Sequence, residues 1–456
     1  MIRTMDKRGC RHCRYQFFPR VENPKKCGNC QKPYPLLPQG PAEESVTKET
    51  YMISGLTKLD QGSITSPRGF TAGSTFVGLK TYAEDKLDLG ILMSVSPCSV
   101  AGFYTLNKLK SHSVTLDQKR TMNGRAQALV VNSGIANACV GYQGYIDASD
   151  ITEKASEHLD LDKDDVLICS TGLIGVELPV SLIKAGIDQI VQKEDGGHDL
   201  ARAIITTDTR TKEIAFSFKH KEKTITVGGI AKGSGMIHPN MATMLAFVTT
   251  DATIAPGLLK TMANKSVDQS FNMITIDGDS STNDTVLVFA NGESGCADIL
   301  EGSPEQAVLQ ETLDQVCTFL AKEIVRDGEG ANKIIEVTVE GAYSREDARS
   351  GAITVASSTL VKTAIHGNDP NWGRIVAALG RSKCEIVEEK IALYINNICI
   401  MESGIPTPFP RDSVVAIMSG VEVAIRLDLN LGSESATAWG CNLSEEYVTF
   451  NSAYTT

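Results

Sequence analysis

The pattern of apolar and polar positions predicts a chain built from strands and helices in alternation. Short apolar runs are typical of buried strands, and period-two alternation is typical of half-buried strands or hairpins. Runs of these two kinds predict strands at 127–131, 166–169, 244–248, 334–340 and 425–431, and a hairpin over 216–230.

Stretches with apolar residues three and four positions apart predict helices over 256–272 and 304–326. Asp150 and Glu153 have the spacing of a capping box and predict a helix that begins there. Pro179 predicts a further helix start, since proline is tolerated in the first helical turn. Strands that alternate with helices indicate a layered α/β fold.

Size and composition favour a cytoplasmic protein with more than one structural unit. The chain has 456 residues, 42% of them hydrophobic, and it shows neither an apolar run of membrane-spanning length nor a cleavable apolar leader. Its twelve cysteines are too dilute for a secreted disulfide scaffold. Eight of them lie singly among apolar neighbours and are expected to be reduced core residues: Cys98, Cys139, Cys169, Cys296, Cys317, Cys384, Cys399 and Cys441.

The first 35 residues differ from the rest in charge and in cysteine spacing. They are basic, whereas the whole chain has a formal charge of −11, and an acidic body argues against general nucleic-acid binding. Two CxxC pairs, Cys10 with Cys13 and Cys27 with Cys30, predict a structural zinc ribbon over 1–35. Redox or coincidental cysteines are the alternative. Residues 36–51 are expected to form a linker. The sequence of the ribbon is compatible with binding to RNA, to a protein or to no partner at all.

The most informative stretch is AKGSGMIHPNMATML, residues 231–245. Gly233, Gly235 and Pro239 exclude a regular helix or strand, and Thr243 would head the strand that follows. If the bond between Ala242 and Thr243 breaks, Thr243 gains an α-amine with a pKa of about 7.7–8.0, which can act as the base for its own hydroxyl. The alternative is a glycine-rich loop that simply leads into a strand.

This stretch resembles the self-cleavage segment of the ornithine acetyltransferase (glutamate N-acetyltransferase) family of arginine biosynthesis. Further similar segments are ITSPRGF at 64–70, TTDT at 206–209 and HGNDPNWGRIVAALG at 366–380, so that the resemblance covers about residues 52–456. It implies a layered α/β sandwich of the N-terminal-nucleophile type, cleaved into an α chain, 52–242, and a β chain, 243–456. The chain departs from the family at Ile135, where Asn is usual, and at His366, where Phe is commoner.

The resemblance also implies roles for individual residues. Thr243 would be the nucleophile, and Thr171 and Gly172 would form the oxyanion hole. A strand that ends in small residues suits the second role because its N–H groups can point at an anion, although most such turns are only turns. The substrate-binding residues implied are Thr206 or Thr207, Lys232, Thr243, Glu329, Asn451 and the terminal Thr456.

The implied reaction is ping-pong transfer of an acetyl group from N2-acetyl-L-ornithine to L-glutamate through an acetyl-threonine, with acetyl-CoA as a second candidate donor. No cofactor is expected for catalysis, and zinc is expected only in the ribbon. The α and β chains are expected to associate in a higher oligomer of αβ units. We interpret Asp277, Asp279 and Asp284 as turn and hydrogen-bond residues, since the segment has no glutamate at the end position of a calcium loop.

Two alternatives belong to other functional classes. A self-processing aminopeptidase or amidase of related fold would pass the acyl group to water instead of glutamate. A binding protein would act through the basic ribbon and carry an inactive enzyme body. The set formed by Thr171, Lys232, Thr243 and Glu329 favours the transferase over the binding protein.

Overall fold

The structure, a computed structural model, describes residues 8–9, 16–17, 55–80, 86–238 and 244–453. The chain divides into two units, Met1–Met52 and Ile53–Thr456. In the first unit, strands β1 (Arg8–Gly9) and β2 (Gln16–Phe17) pair in antiparallel orientation. The four ribbon cysteines, Cys10, Cys13, Cys27 and Cys30, lie outside the described residues, so the zinc ribbon stays a prediction.

The described part of the second unit contains two mixed β-sheets. The larger has nine strands: β3 (Leu56–Lys58), β4 (Phe70–Thr75), β5 (Leu89–Tyr104), β6 (Arg125–Ile135), β7 (Val166–Leu173), β8 (Lys212–His220), β9 (Lys223–Lys232), β10 (Leu245–Thr250) and β12 (Thr285–Ala290). Their order is β3-β8-β9-β10-β12-β5-β6-β7, and β4 pairs with β5. The β6–β7 and β10–β12 pairs are parallel, and the other pairs are antiparallel.

The smaller sheet has seven strands: β11 (Ile274–Thr275), β13 (Ile334–Ala342), β14 (Ala392–Ile395), β15 (Ile398–Glu402), β16 (Ile405–Pro406), β17 (Glu422–Asp428) and β18 (Glu434–Cys441). Their order is β11-β18-β13-β17-β14-β15-β16. The sheet is again mixed, since β13 runs parallel to β17 and antiparallel to β18.

Helices join the two sheets and cover them. They are α1 (His112–Arg120), α2 (Gln143–Leu159), α3 (Val180–Ile187), α4 (Gly197–Ile204), α5 (Pro256–Gln269), α6 (Pro304–Arg326), α7 (Arg345–Ala356), α8 (Thr359–His366), α9 (Trp372–Gly380), α10 (Arg411–Met418) and α11 (Glu445–Ala453). One continuous apolar core contains residues of α5, α6 and α7 together with Val227 of the larger sheet and Val337 of the smaller sheet. The α/β class is therefore confirmed.

The long helix α6 has the predicted bounds because its apolar period and its caps agree. Ser303 accepts a hydrogen bond from the Gln306 N–H, and Pro304 occupies the first turn. In contrast, the capping box predicted at Asp150 and Glu153 is wrong, because α2 already begins at Gln143. Asp150 lies inside that helix, and its carboxylate is 3.2 Å from the Lys184 ammonium. The ion pair on the helix surface explains an acidic residue at this position without a helix start.

The scattered cysteines mostly behave as predicted. All eight are free, and six of them are buried. Cys139 is exposed and Cys399 is half-buried, so the expectation of a core position is wrong for these two. Within the described part of the chain, no helix combines the length and the apolar character that crossing a bilayer requires.

The contact between α6 and β9 provides a test of the core. Leu320 is 0% exposed, and its side chain packs over the backbone of Gly229 in β9. We expect Leu320→Ala to lower the free energy of unfolding by about 2–5 kcal/mol, because it removes buried methyl groups and leaves a cavity. Chemical denaturation would measure this loss. Leu300→Ala is the matched control, since Leu300 is 65% exposed; an equal loss in both variants would contradict this account of the core.

Candidate active site

The ends of strands that are distant in the sheet order come together at one place. Lys232 ends β9, and its Nζ lies 3.3 Å from the Oγ1 of Thr171, near the end of β7. Asn283, just before β12, donates its side-chain N–H groups to the carbonyl oxygens of Ala136 (2.6 Å) and Ser170 (2.7 Å). The larger sheet must therefore curl, since β7 and β9 are not neighbours in it.

A cavity of about 400 Å³ lies where these strand ends meet. It brings together seven of the residues predicted from the sequence: Thr171, Gly172, Thr206, Thr207, Lys232, Glu329 and Asn451. Thr206 and Thr207 both line it, and the Oγ1 of Thr207 forms a 2.6 Å hydrogen bond with the Oγ of Ser234. Ala242, Thr243 and Thr456 lie outside the described residues, so that their roles stay predictions.

The wall formed by β6 and β7 requires glycine at two facing positions. Gly172 has a φ of 132°, and a Cβ there would lie 2.1 Å from the carbonyl carbon of Gly134. The register between the strands becomes irregular at this point, because Ile135 is paired with both Thr171 and Leu173. An irregular ladder next to a cavity is the kind of backbone that can direct an N–H group at a ligand.

A buried group of charged side chains joins the segments that line the cavity. The Nζ of Lys212 lies 2.5 Å from Asp208 Oδ1 and 2.6 Å from Asp327 Oδ2, and all three side chains are almost fully buried. Asp208 also accepts hydrogen bonds from the backbone N–H groups of Gly233 (2.6 Å) and Thr206 (3.1 Å). The network therefore joins the segments that carry Thr206, Lys232 and Glu329.

Glu329 has a close backbone neighbour and a side-chain partner. Its N–H donates to the carbonyl of Ser234 at 2.8 Å, and its carboxylate accepts a 2.9 Å hydrogen bond from Asn451 of α11. A Cβ added to Gly235 would lie 2.5 Å from the same carboxylate. Glycine at position 235 therefore makes room for Glu329.

Burial changes the protonation of the charged groups at this site. It lowers the pKa of Lys232, although Asp208 and Glu329 oppose the shift. For Asp208, burial favours the neutral acid, but Lys212 and Lys232 outweigh it and bring the pKa down to about 2. Asp208 is consequently ionised at neutral pH, which makes it a fixed negative charge beneath Lys232.

Asp277 and Asp284 act as hydrogen-bond acceptors, as predicted, and Asp279 takes part through its backbone N–H, which donates to Asp277 at 3.2 Å. Asp277 accepts from the backbone N–H of Ile237 at 2.8 Å and also from that of Met236. Asp284 accepts from the backbone N–H of Met244 at 3.1 Å, and burial raises its pKa well above the usual value. No group of three or more potential metal ligands occurs among the described residues.

Other residues of the cavity had no role assigned from the sequence. Asn283 lines the cavity, and Ser234 supports it through the hydrogen bond with Thr207; the partners of both come from distant segments, so local patterns carried no signal for them. Lys80 also lines the cavity, and it follows the ITSPRGF segment, 64–70, by ten residues. The two departures have structural explanations, since Ile135 is a core residue and His366 contacts Asn442 and Glu445 outside the cavity.

Comparison with known proteins agrees with this picture. The sequence profile of the ArgJ family matches residues 71–456. The arginine biosynthesis bifunctional protein ArgJ of Dehalococcoides mccartyi is 45% identical over 405 residues, which are 89% of this chain and 100% of that protein. The protein of the same name from Symbiobacterium thermophilum is 45% identical over 87% of this chain and 99% of its own length.

Two solved structures are also similar. The arginine biosynthesis bifunctional protein of Bacillus halodurans is 42% identical and aligns over 46% of this chain and 98% of that chain, with a TM-score of 0.45. Ornithine acetyltransferase from Mycobacterium tuberculosis, solved with ornithine, is 34% identical over 40% of this chain and 98% of its own, with a TM-score of 0.38. On the extent and identity of the sequence matches, the chain belongs to the ArgJ family.

Proposed function

We propose that this enzyme of arginine biosynthesis cleaves itself between Ala242 and Thr243 and then transfers an acetyl group from N2-acetyl-L-ornithine to L-glutamate. The observation that carries the proposal is the cavity, which joins Thr171, Lys232 and Glu329 from separate parts of the chain. These are the groups that an acetyl transfer needs when the donor carries a side-chain ammonium and a carboxylate. The word "bifunctional" in the names of the relatives favours a second donor, and we assign that role to acetyl-CoA.

Self-cleavage places the nucleophile at the start of a chain. Met244 follows Thr243, its N–H donates to Asp284, and the next residue, Leu245, is the register partner of Lys232. The chain therefore enters β10 beside the cavity. Processing produces the α chain, 52–242, and the β chain, 243–456, in a fold of the N-terminal-nucleophile type.

In the first half-reaction the Thr243 hydroxyl oxygen bonds to the carbonyl carbon of the acetyl group, and the hydroxyl proton passes to the Thr243 α-amine. The Thr171 hydroxyl and the Gly172 N–H stabilise the oxyanion. Lys232 donates to the Thr171 oxygen, which leaves the hydroxyl hydrogen of Thr171 to point at the substrate. The C–N bond then breaks, and the proton moves from the α-amine to the departing nitrogen of ornithine.

In the second half-reaction the α-amine of glutamate attacks the acetyl-threonine. The Thr243 α-amine takes a proton from the attacking nitrogen and returns it to the leaving Thr243 oxygen, so that the free enzyme is restored. Group transfer requires that glutamate, not water, reaches the ester. A hydrolase of related fold would release acetate without glutamate, and the dependence of acetyl loss on glutamate separates the two reactions.

Charge explains how the donor is held. Glu329 and Asn451 are joined by a hydrogen bond at one part of the cavity, and a carboxylate there is suited to the side-chain ammonium of ornithine. Lys232 supplies a compact positive charge for a substrate carboxylate. Thr206, Thr207 and the terminal Thr456 complete the binding site in this proposal, and the αβ units associate further in the cytoplasm.

The N-terminal segment is a separate part of the proposal. We assign one zinc ion to Cys10, Cys13, Cys27 and Cys30, since two CxxC pairs provide the four thiolates of a closed tetrahedral site. The bound metal would supply the folding energy that so short a segment lacks. Catalysis does not involve this ion.

The cleavage step is tested by Thr243→Ala. We expect this variant to remain one chain and to lose acetyl transfer completely, because it lacks the hydroxyl for both reactions. Intact-mass measurement under denaturing conditions, with an acetylornithine–glutamate assay, would show both effects. Thr249→Ala removes a threonine from β10 itself and is the matched control; a cleaved and active Thr243→Ala protein would overturn the assignment.

The role of Glu329 is tested without changing that residue. Gly235→Ala places a methyl group against the Glu329 carboxylate. We expect the KM for N2-acetylornithine to rise about tenfold or more, which is the loss of one charge-assisted hydrogen bond. The control is Gly257→Ala on α5, where a Cβ meets no atom within 4 Å. Unchanged steady-state kinetics for the donor in Gly235→Ala would remove Glu329 from the donor site.

The metal assignment predicts one equivalent of zinc per chain. Cys27→Ser with Cys30→Ser is expected to abolish binding, because two thiolates cannot complete the tetrahedral site. Elemental analysis of the purified protein measures the zinc, and Cys98→Ser with Cys317→Ser provides a control pair of buried cysteines. Zinc retained in the first double variant would refute the ribbon, and acetyl transfer should be the same with and without the metal.

A further inference from the structure

The proposed reaction poses a problem of charge at a single cavity. The donor carries a side-chain ammonium, whereas the acceptor, glutamate, carries a side-chain carboxylate. Among the described residues that line the cavity, the ionisable ones are Lys80, Lys86, Lys232 and Glu329. Glu329 attracts the ammonium and repels the carboxylate, so the acceptor needs a cation at another part of the wall.

We propose that Lys80 binds the side-chain carboxylate of glutamate and so determines the specificity of the second half-reaction. The inference rests on the proposed acetyl transfer to glutamate. It gives the cavity two separate sites for side chains, one anionic at Glu329 and one cationic at Lys80, with Lys232 available to the α-carboxylate that both substrates share.

The segment before Lys80 is held firmly against the catalytic wall. The buried carboxylate of Asp88 accepts hydrogen bonds from the N–H groups of Val77 (2.7 Å) and Leu79 (2.6 Å). The carbonyl of Leu79 approaches Gly134 so closely that a Cβ on that glycine would lie 2.5 Å from its oxygen. Because Gly134 faces Gly172 across β6 and β7, Lys80 is fixed beside the proposed oxyanion hole.

The ammonium of Lys80 is held by carbonyl oxygens instead of carboxylates. Its Nζ donates to Leu87 at 2.8 Å and to Ala203 at 3.0 Å, and the carbonyl of Arg202 is 3.5 Å away. In the described part of the chain no acidic side chain forms an ion pair with it, unlike Lys212, which contacts two. An ammonium has three donors. The third makes only the long contact with Arg202, which a ligand carboxylate can replace with a shorter, charge-assisted hydrogen bond.

Electrostatics favours an anion at this position. Burial lowers the pKa of Lys80 to about 8, with Asp88 opposing the shift and Lys232 adding to it. The two lysines repel each other across the cavity, and an arriving dicarboxylate relieves that repulsion. Lys86 is a weaker candidate for the same role because it is exposed to solvent, where water screens its charge.

The test compares glutamate with glutamine, its neutral counterpart, as acceptors. In Lys80→Gln we expect the KM for glutamate to rise about 10- to 100-fold, since a charge-assisted hydrogen bond is lost. The KM for N2-acetylornithine should change by less than about threefold, and the preference for glutamate over glutamine should disappear. Lys80→Arg keeps the charge and should retain the preference. Lys265→Gln on the exposed face of α5 is the matched control.

The unmodified enzyme gives a second readout that does not depend on a variant folding. Lys80 is charged below its pKa of about 8. The glutamate-to-glutamine ratio of kcat/KM should therefore be high below pH 8 and fall as the pH rises through it. Both acceptors attack through an α-amine, and the extra carboxylate of glutamate makes its amine the more basic, so titration of the amines alone would raise the ratio at high pH and cannot produce the expected fall. A ratio that stays constant from pH 6.5 to about 9.5 would overturn the proposal.

The outcomes separate this inference from the proposed function. If the unmodified protein transfers acetyl to neither acceptor, the proposed function fails. If it uses glutamate but Lys80→Gln raises the KM of donor and acceptor equally, or keeps the preference for glutamate, Lys80 has a structural role only and the inference fails. Loss of the preference in Lys80→Gln with its retention in Lys80→Arg would establish the assignment.

Discussion

The cavity depends on one buried group of charges, Lys212 between Asp208 and Asp327. A buried ion is very unfavourable unless it is paired and hydrogen-bonded, so the fold must bring these three side chains together. The pairing does more than balance charge. Asp208 binds the N–H groups of Gly233 and Thr206, and Asp327 binds that of Thr209 at 3.1 Å. The segments that carry Lys232, Thr207 and Glu329 are thereby held in one arrangement before any substrate arrives.

The other side of the cavity is determined by the close approach of backbones. Gly172 faces Gly134 with no space for a Cβ, and Gly134 in turn contacts the carbonyl of Leu79. Three segments therefore pack in a layer that no larger residue could enter. This packing places the oxyanion donors of the proposal beside Lys80, and it makes the wall rigid where a reaction intermediate needs preset donors.

Transfer between ornithine and glutamate requires one site to accept opposite side-chain charges in turn. The distribution of charge in the cavity suits that task, because Lys232 interacts electrostatically with Glu329 and with Lys80. The common part of both substrates can thus occupy one place while the side chains diverge. In this arrangement the enzyme accepts donor and acceptor in turn because Glu329 and Lys80 lie at different positions in the cavity. Neither group has to change its protonation between the two half-reactions.

Much of the architecture follows from local sequence. The helix α6 was predictable to the residue because its apolar period, Pro304 and the Ser303 cap all agree. Most strands were located but were predicted too short; β6, for example, continues through Ser133, whose hydroxyl donates to the distant carbonyl of Ala203. The strand predicted at 425–431 is displaced, since β17 spans Glu422–Asp428. The helix start predicted at Asp150 was wrong because acidic residues with the spacing of a capping box also occur on the surface of a helix. The ion-pair partner of Asp150, Lys184, lies far along the chain, so the local sequence could not distinguish the two cases.

The sequence by itself determined the family, the set of candidate catalytic residues and the chemistry expected of a threonine behind a glycine-rich stretch, because these are properties of residue types and their spacing. Only the tertiary structure decided which of those residues meet. The fold joins residues that in most cases are more than 60 positions apart in the sequence. Examples are the contact of Lys232 with Thr171, the pairing of Asp208 and Asp327 through Lys212, and the place of Lys80. The contact of Lys232 with Thr171 depends on the curl of the larger sheet, and no local pattern encodes that curl.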